Sequence, residues 1–118
     1  MSKSSKTEKA YDKVYLIDFD NCADTDVKNL RGYIHIFLAK NFNMKSNKIK
    51  NIQNLPGVKI HQAKEPLPEI VDHMMTWYAC ENFKKIKDKE VVVISKDFGL
   101  NALISILKQK DVNARLTN

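Results

Sequence analysis

Val91-Val-Val-Ile-Ser95 is an apolar run with no polar alternation, and an acid, Asp97, stands two residues beyond it. An unbroken run of that length reads as a strand covered on both faces, as strands are in parallel sheets. Downstream, Leu100, Leu103, Ile104 and Leu107 fall at helical spacing and predict a helix from about Gly99 to Gln109. Val112 to Leu116 then reads as one further strand. Strand, helix and strand in so short a space form the βαβ unit, which calls for a parallel sheet with helices on its faces.

Towards the amino terminus the pattern recurs. Val14-Tyr-Leu-Ile-Asp18 is a second apolar run ending in a carboxylate, with Asp20 and Asn21 directly after it. Asp24 or Thr25 is placed to cap a short helix through about Gly32, with Val27 and Leu30 inward. Tyr33 to Lys40 and Val58 to His61 read as strands, the latter after a Pro56-Gly57 turn; Ser46 is placed to cap a brief helix carrying Ile49 and Ile52. Pro66 and Pro68 introduce the longest expected helix, about Leu67 to Phe83, with Ile70, Val71, Met74, Trp77 and Tyr78 as its apolar face. The expected fold is therefore a three-layer, Rossmann-like α/β domain with five mostly parallel strands, covering residues 13–118 after a tail over residues 1–12 that is expected to be polar, basic and disordered.

Composition narrows the class. The chain has 118 residues, 43% of them hydrophobic, which suits one ordinary core and not two. No apolar run is long enough to span a bilayer, and the first residues lack the apolar centre of a secretory signal. Two cysteines, Cys22 and Cys80, make neither a disulfide framework nor a zinc site unaided, so a reducing, cytoplasmic setting is expected. The net charge is +6, and its placement says more than its sum: no Asp or Glu lies between Val27 and Lys64, a stretch bounded and filled by eight basic residues. A field of one sign suits a polyanion.

In a doubly wound sheet, chemistry collects outside the carboxyl ends of the strands. Asp18 and Asp97 stand at two such ends, and Asp72 lies in the long helix on a segment apolar over most of its circumference. Two carboxylates about 4 Å apart repel by roughly 4 kcal/mol at an effective dielectric near 20. Either one protonates or a hard cation sits between them, and carboxylate and amide oxygens are what Mg²⁺ or Mn²⁺ prefers. If the three acids converge, Asp18, Asp72 and Asp97 are the expected metal ligands. Asp20 and Asn21 complete the catalytic set, and Ser95 and Asn101 are expected to orient ligands or water. Lys13, Lys40, Lys64 and Lys96 are the expected contacts to a phosphate backbone.

Asp18-Phe-Asp-Asn21 after one apolar strand, and Ser95-Lys-Asp97-Phe-Gly-Leu-Asn-Ala-Leu-Ile104 after another, resemble a PIN-like nuclease domain of the NYN type. The resemblance spans about Val14 to Leu116. It implies metal-dependent cleavage of single-stranded or structured RNA, with Asp18 and Asn21 in the first motif, Asp72 as the central acid, and Ser95 with Asp97 in the last. The chain departs from the pattern at Gly99, where many members carry a second acid, and at Asn101, near where others carry a further one. Small nucleases of this fold often pair, so a homodimer is an expected partner alongside RNA; no exposed apolar stripe marks its face.

Two alternatives use the same residues. A binding module that kept the fold and the basic surface but lost cleavage is suggested by Gly99. Asp18-x-Asp20 also resembles haloacid-dehalogenase-type phosphatases, although Cys22 stands where their motif has Thr or Val, and Ile36 to Lys40 offers no Ser or Thr. His35, His61 and His73 share no metal spacing and read as ordinary histidines. Cys22 reads as a buried filler, Trp77 and Tyr78 as helix core, and Tyr33 and Phe42 as candidates for stacking bases.

Overall fold

Alternation along the strands decides which side chains go to which face, and the crossovers decide what covers them. A computed structural model describes residues 11–118; residues 1–10 of the expected tail lie outside the described residues. Strands β1 (Lys13–Asp18), β2 (Tyr33–Leu38), β3 (Val58–Gln62), β4 (Glu90–Ile94) and β5 (Asn113–Thr117) form one sheet in the order β3-β2-β1-β4-β5, every neighbouring pair parallel. The helices are α1 (Asn47–Lys50), α2 (Ile70–Glu81), α3 (Phe83–Ile86) and α4 (Asn101–Gln109), with 3₁₀ turns at Val27–Asn29 and Phe98–Leu100.

The chain builds outward from β1 to β3, then returns to the other side of β1 for β4 and β5. Right-handed crossovers put connections made in opposite directions on opposite faces. Accordingly, α2, α3 and α4 pack on Val14, Leu16, Phe37, Val91, Val93 and Ala114. The other face, with Tyr15, Ile17, Ile34, Ile36, Val92 and Ile94, is covered by the loop residues Phe19, Cys22 and Phe42, by the turn at Val27, and by Ile49 and Ile52 around α1. The three layers are present, but unequal: all the long helices are on one side. Tyr11 and Asp12, placed in the tail by sequence, are tied in; Tyr11 meets the Tyr33 ring edge-on at 5.3 Å, and the Asp12 carbonyl accepts from Glu90 N at 2.9 Å.

Several expected boundaries shift for identifiable reasons. Strand β2 stops at Leu38, not Lys40, because the Ala39 N–H donates to the Asp20 carboxylate instead of a strand partner. The capped helix expected up to Gly32 is only a 3₁₀ turn: the Thr25 hydroxyl donates back to the Cys22 carbonyl, and Asp26 takes the Asn29 side chain, so neither caps a helix. Ser46 does cap α1, its Oγ accepting from Lys48 N. Helix α2 begins at Ile70, since Glu69 before it has φ of 61°, and Pro68 stays outside. Its buried stripe is Val71, Met75 and Ala79, four residues apart, which turns Trp77 outward to 64% exposure. Trp77 is therefore not core, contrary to the expectation from periodicity. Two apolar stripes compete on this helix, and the one with the smaller residues fits closer to the sheet. The Pro56-Gly57 turn is as expected, with Gly57 at φ 81°.

Candidate metal centre at the carboxyl ends of the strands

The order β3-β2-β1-β4-β5 puts the switch point between β1 and β4, and both expected strand-end acids belong to those strands. Ile17 lies level with Ile94, so the next residues, Asp18 and Ser95, emerge side by side. Both are 2% exposed. The Ser95 hydroxyl donates to Asp18 Oδ2 at 3.0 Å, and the Asn21 amide donates to the same oxygen at 2.9 Å. The turn that returns Asn21 closes on the Asp18 carbonyl, which accepts from the Asn21 and Cys22 backbone N–H groups. Ser95 Oγ also accepts from Asp97 N at 3.0 Å, so one hydroxyl ties the first acid to the loop that carries the last.

Asp97 is steered by its own turn, Oδ1 accepting from Gly99 N at 2.8 Å. A Cβ on Gly99 would come within 3.1 Å of that oxygen, tighter than ordinary contact. An acid at position 99 would thus crowd the Asp97 carboxylate as well as repel it. Gly99 gives up a fourth charge and keeps the third oriented.

Asp72 reaches this group from the first turn of α2, which starts at the carboxyl rim because a crossover helix runs antiparallel to the strands. Its carboxyl lies within hydrogen-bonding reach of Asp97 and feels the charges of Asp18 and Glu69. Burial first, then the Asp97 carboxylate, push Asp72 up to about 7. Asp97 is held below its usual range, first by that shared proton and then by the Gly99 N–H. Asp20 does not join them: its carboxylate is engaged by Ala39 N, and it is raised chiefly by burial. Cys22 is buried with its thiol pushed up by burial, in keeping with a filler.

The remaining expected residues divide by rim. Lys96 sits between Ser95 and Asp97, while Lys40 and Lys64 are exposed just beyond the ends of β2 and β3, all at the carboxyl side. Lys13 is at the opposite end, 3.6 Å from Glu90, which also pairs with Arg115. Asn101 is exposed on the first turn of α4, beside Ile104, Ser105 and Lys108, with no hydrogen bond to the acids among the described residues. Phe42 packs against Phe19 at 5.8 Å between centroids, and Tyr33 against Tyr11.

A divalent ion suits this donor set on chemical grounds. Asp72 and Asp97 share a proton, Asp72 feels the charge of Asp18, and among the described residues no Lys, Arg or His forms an ion pair with any of the three. They are not drawn into a closed cage: among the described residues, no three His, Cys, Asp or Glu groups stand around one point as ligands. Asp18 approaches through its field, and Asp72 and Asp97 through contact.

One cluster went unseen in the sequence. His35 Nδ1 and His61 Nε2 are 2.9 Å apart, and the Tyr78 hydroxyl lies 2.9 Å from His35 Nε2. The available signal was parity: Tyr33, His35 and Phe37 share a face of β2, and the neighbouring strand puts Lys59 and His61 on that face too.

Among the described residues no helix is long and apolar enough to cross a membrane. Residues 12–116 match the family described as PIN domain. No curated protein and no solved structure matches the chain.

Proposed function

The chain belongs to the PIN domain family, typically metal-dependent nucleases that generally use divalent ions, and on that premise we propose that it is a Mg²⁺- or Mn²⁺-dependent endoribonuclease. The observation that carries this reading is the contact of Asp72 with Asp97 in the field of Asp18, a concentration of negative charge with no cationic side chain paired to it among the described residues. Asp18, Asp72 and Asp97 would hold the ion, which when bound supplies Lewis acidity and neutralises charge at a phosphodiester. The rest is positioning. Ser95 and Asn21 both donate to one oxygen of Asp18, leaving the other for a ligand. Gly99 N–H does the same for Asp97. Asp20 acts one step away, pinning the end of β2 through Ala39. Lys40, Lys64 and Lys96 follow the carboxyl ends of β2, β3 and β4, the same rim as the acids, where a polyanion needs counter-charge to approach carboxylates at all. The Asp18-x-x-Asn21 and Ser95-x-Asp97 motifs favour the NYN type within the family.

The open arrangement of the acids favours one competing reading, a module that binds RNA without cutting it. Incubation of end-labelled RNA with Mn²⁺ separates the two. Cleavage that disappears with chelator and in Asp97→Asn is expected. Binding without cleavage in the wild type, unchanged by either treatment, would leave only the module. The phosphatase alternative has lost its footing, since the carboxylate of its second acid, Asp20, is held by a backbone N–H.

A further inference from the structure

On the face that carries α2, the helix leaves the starts of β2 and β3 uncovered, and a cavity of about 610 Å³ opens there. It lies by Val14, Tyr33 and Val58, at the amino ends of their strands and so on the rim opposite the acids. Tyr33, His35 and Tyr78 line it together with Lys59, Lys85 and Lys89, and no Asp or Glu does. Lys89 is aimed: its Nζ donates to the Tyr11 carbonyl at 2.7 Å and lies 5.2 Å from the centre of the Tyr33 ring. None of the three lysines forms an ion pair among the described residues. The Tyr78–His35–His61 hydrogen bonds hold the aromatic wall in place.

A second cavity, of about 450 Å³, shares Tyr78 and follows α2 back to Ile70 in its first turn. Trp77 stands on its wall with Phe37 and His61; Glu81 is its one acid. Trp77, exposed over 64% of its surface, offers its indole to this cavity. The two cavities thus follow the length of α2, about 18 Å for its twelve residues, from the acid end to the lysine cluster. Aromatic rings interleaved with unpaired cations are the composition that holds single-stranded nucleic acid, by base stacking and phosphate contact.

We propose that this groove holds the single-stranded RNA segment flanking the bond to be cut, with bases against Trp77, Tyr78 and Tyr33 and phosphates on Lys59, Lys85 and Lys89. The inference rests on the RNA reading above, but its test needs no cleavage. Trp77 is the only tryptophan, so its emission reports on this groove alone. With the full chain in chelator, titration with a single-stranded oligouridylate of about 12 nucleotides is expected to quench that emission saturably. Replacing three phosphate contacts, in Lys59→Ser with Lys85→Ser and Lys89→Ser, should weaken binding about 50-fold near 0.1 M salt and lower the log–log salt slope by about two. Lys89 also holds Tyr11, so a double variant at Lys59 and Lys85 keeps the test open if the triple fails to fold; its slope should fall by about 1.4. A control set of equal charge on the other face, Lys45→Ser with Lys48→Ser and Lys50→Ser, should cost less than about threefold. Oligonucleotide binding without quenching, no binding at all, or equal losses in both lysine sets would overturn the proposal. Binding with quenching but no Mn²⁺-dependent cleavage would keep the groove and remove the catalysis; cleavage without quenching would do the reverse.

Discussion

The acid end of α2 and the His35–His61–Tyr78 cluster farther along it both press like groups together, and they resolve the conflict in opposite ways. The two imidazoles become neutral and complementary: burial, then His61 and Lys59, hold His35 down to about 4, and the Tyr78 hydroxyl, itself raised by burial, completes the chain. Every ring nitrogen of His35 has a partner. Asp72 and Asp97 have one proton between two carboxyls, and Asp18 adds a third carboxyl with only neutral donors around it. Buried polar groups that satisfy one another stabilise a fold, whereas a like-charge cluster left unanswered is a cost that structure alone does not explain. The histidine cluster reads as architecture and the acid end as a site.

That contrast can be broken by mutation. Asp97→Asn keeps an oxygen to accept from Gly99 N–H and removes the charge. RNA cleavage should fall at least about 1,000-fold, roughly 4 kcal/mol of barrier, while the melting temperature holds or rises. A large drop in melting temperature would mean the acids are structural after all. His35→Ala should do the opposite. It strands the Tyr78 hydroxyl and His61 and opens a hole, at about 3 kcal/mol of folding stability, measurable by urea unfolding.

Acidification sharpens the contrast further. Between pH 6.5 and about 4 the unfolded chain protonates His35 and the folded chain does not, so stability falls as pH falls through that window. After discounting for partial solvent screening, the loss is about 2 kcal/mol, and it should vanish in His35→Phe. Asp72 runs the other way, because its folded value lies above the unfolded one. Metal-free Asp72→Asn should therefore gain about 1 kcal/mol above pH 7, with most of the shift discounted because the side chain is largely solvated. That gain should fade towards pH 4. An Asp72→Asn chain less stable than wild type at pH 8 would contradict the shared-proton picture.

The strands were legible because β1 and β4 are buried on both faces and so carry unbroken apolar runs. Position 72 was harder. Its helix carries two apolar stripes, and sequence alone favoured the one that includes Trp77; only packing against the sheet selects Val71, Met75 and Ala79 and so turns Asp72 to the rim. The first crossover is a 3₁₀ turn and not the expected helix because Thr25, one of the two capping candidates, turns its hydroxyl back to the Cys22 carbonyl, and the turn starts only after Asp26. Lys13 and Asn101 illustrate a different limit: adjacency in sequence to a strand or motif does not say which rim or which helix face a side chain reaches. The His35–Tyr78 bond joins residues 43 apart, and nothing in either local sequence marks it.

Calorimetric titration of the full chain with Mn²⁺ tests the central claim most directly, because it asks whether the clustered carboxylates are a cation site independently of any substrate. Saturable binding in the wild type, lost in both Asp18→Asn and Asp97→Asn and retained in Glu65→Gln, is the predicted result. No binding by wild type, or binding that survives loss of Asp97, would contradict it.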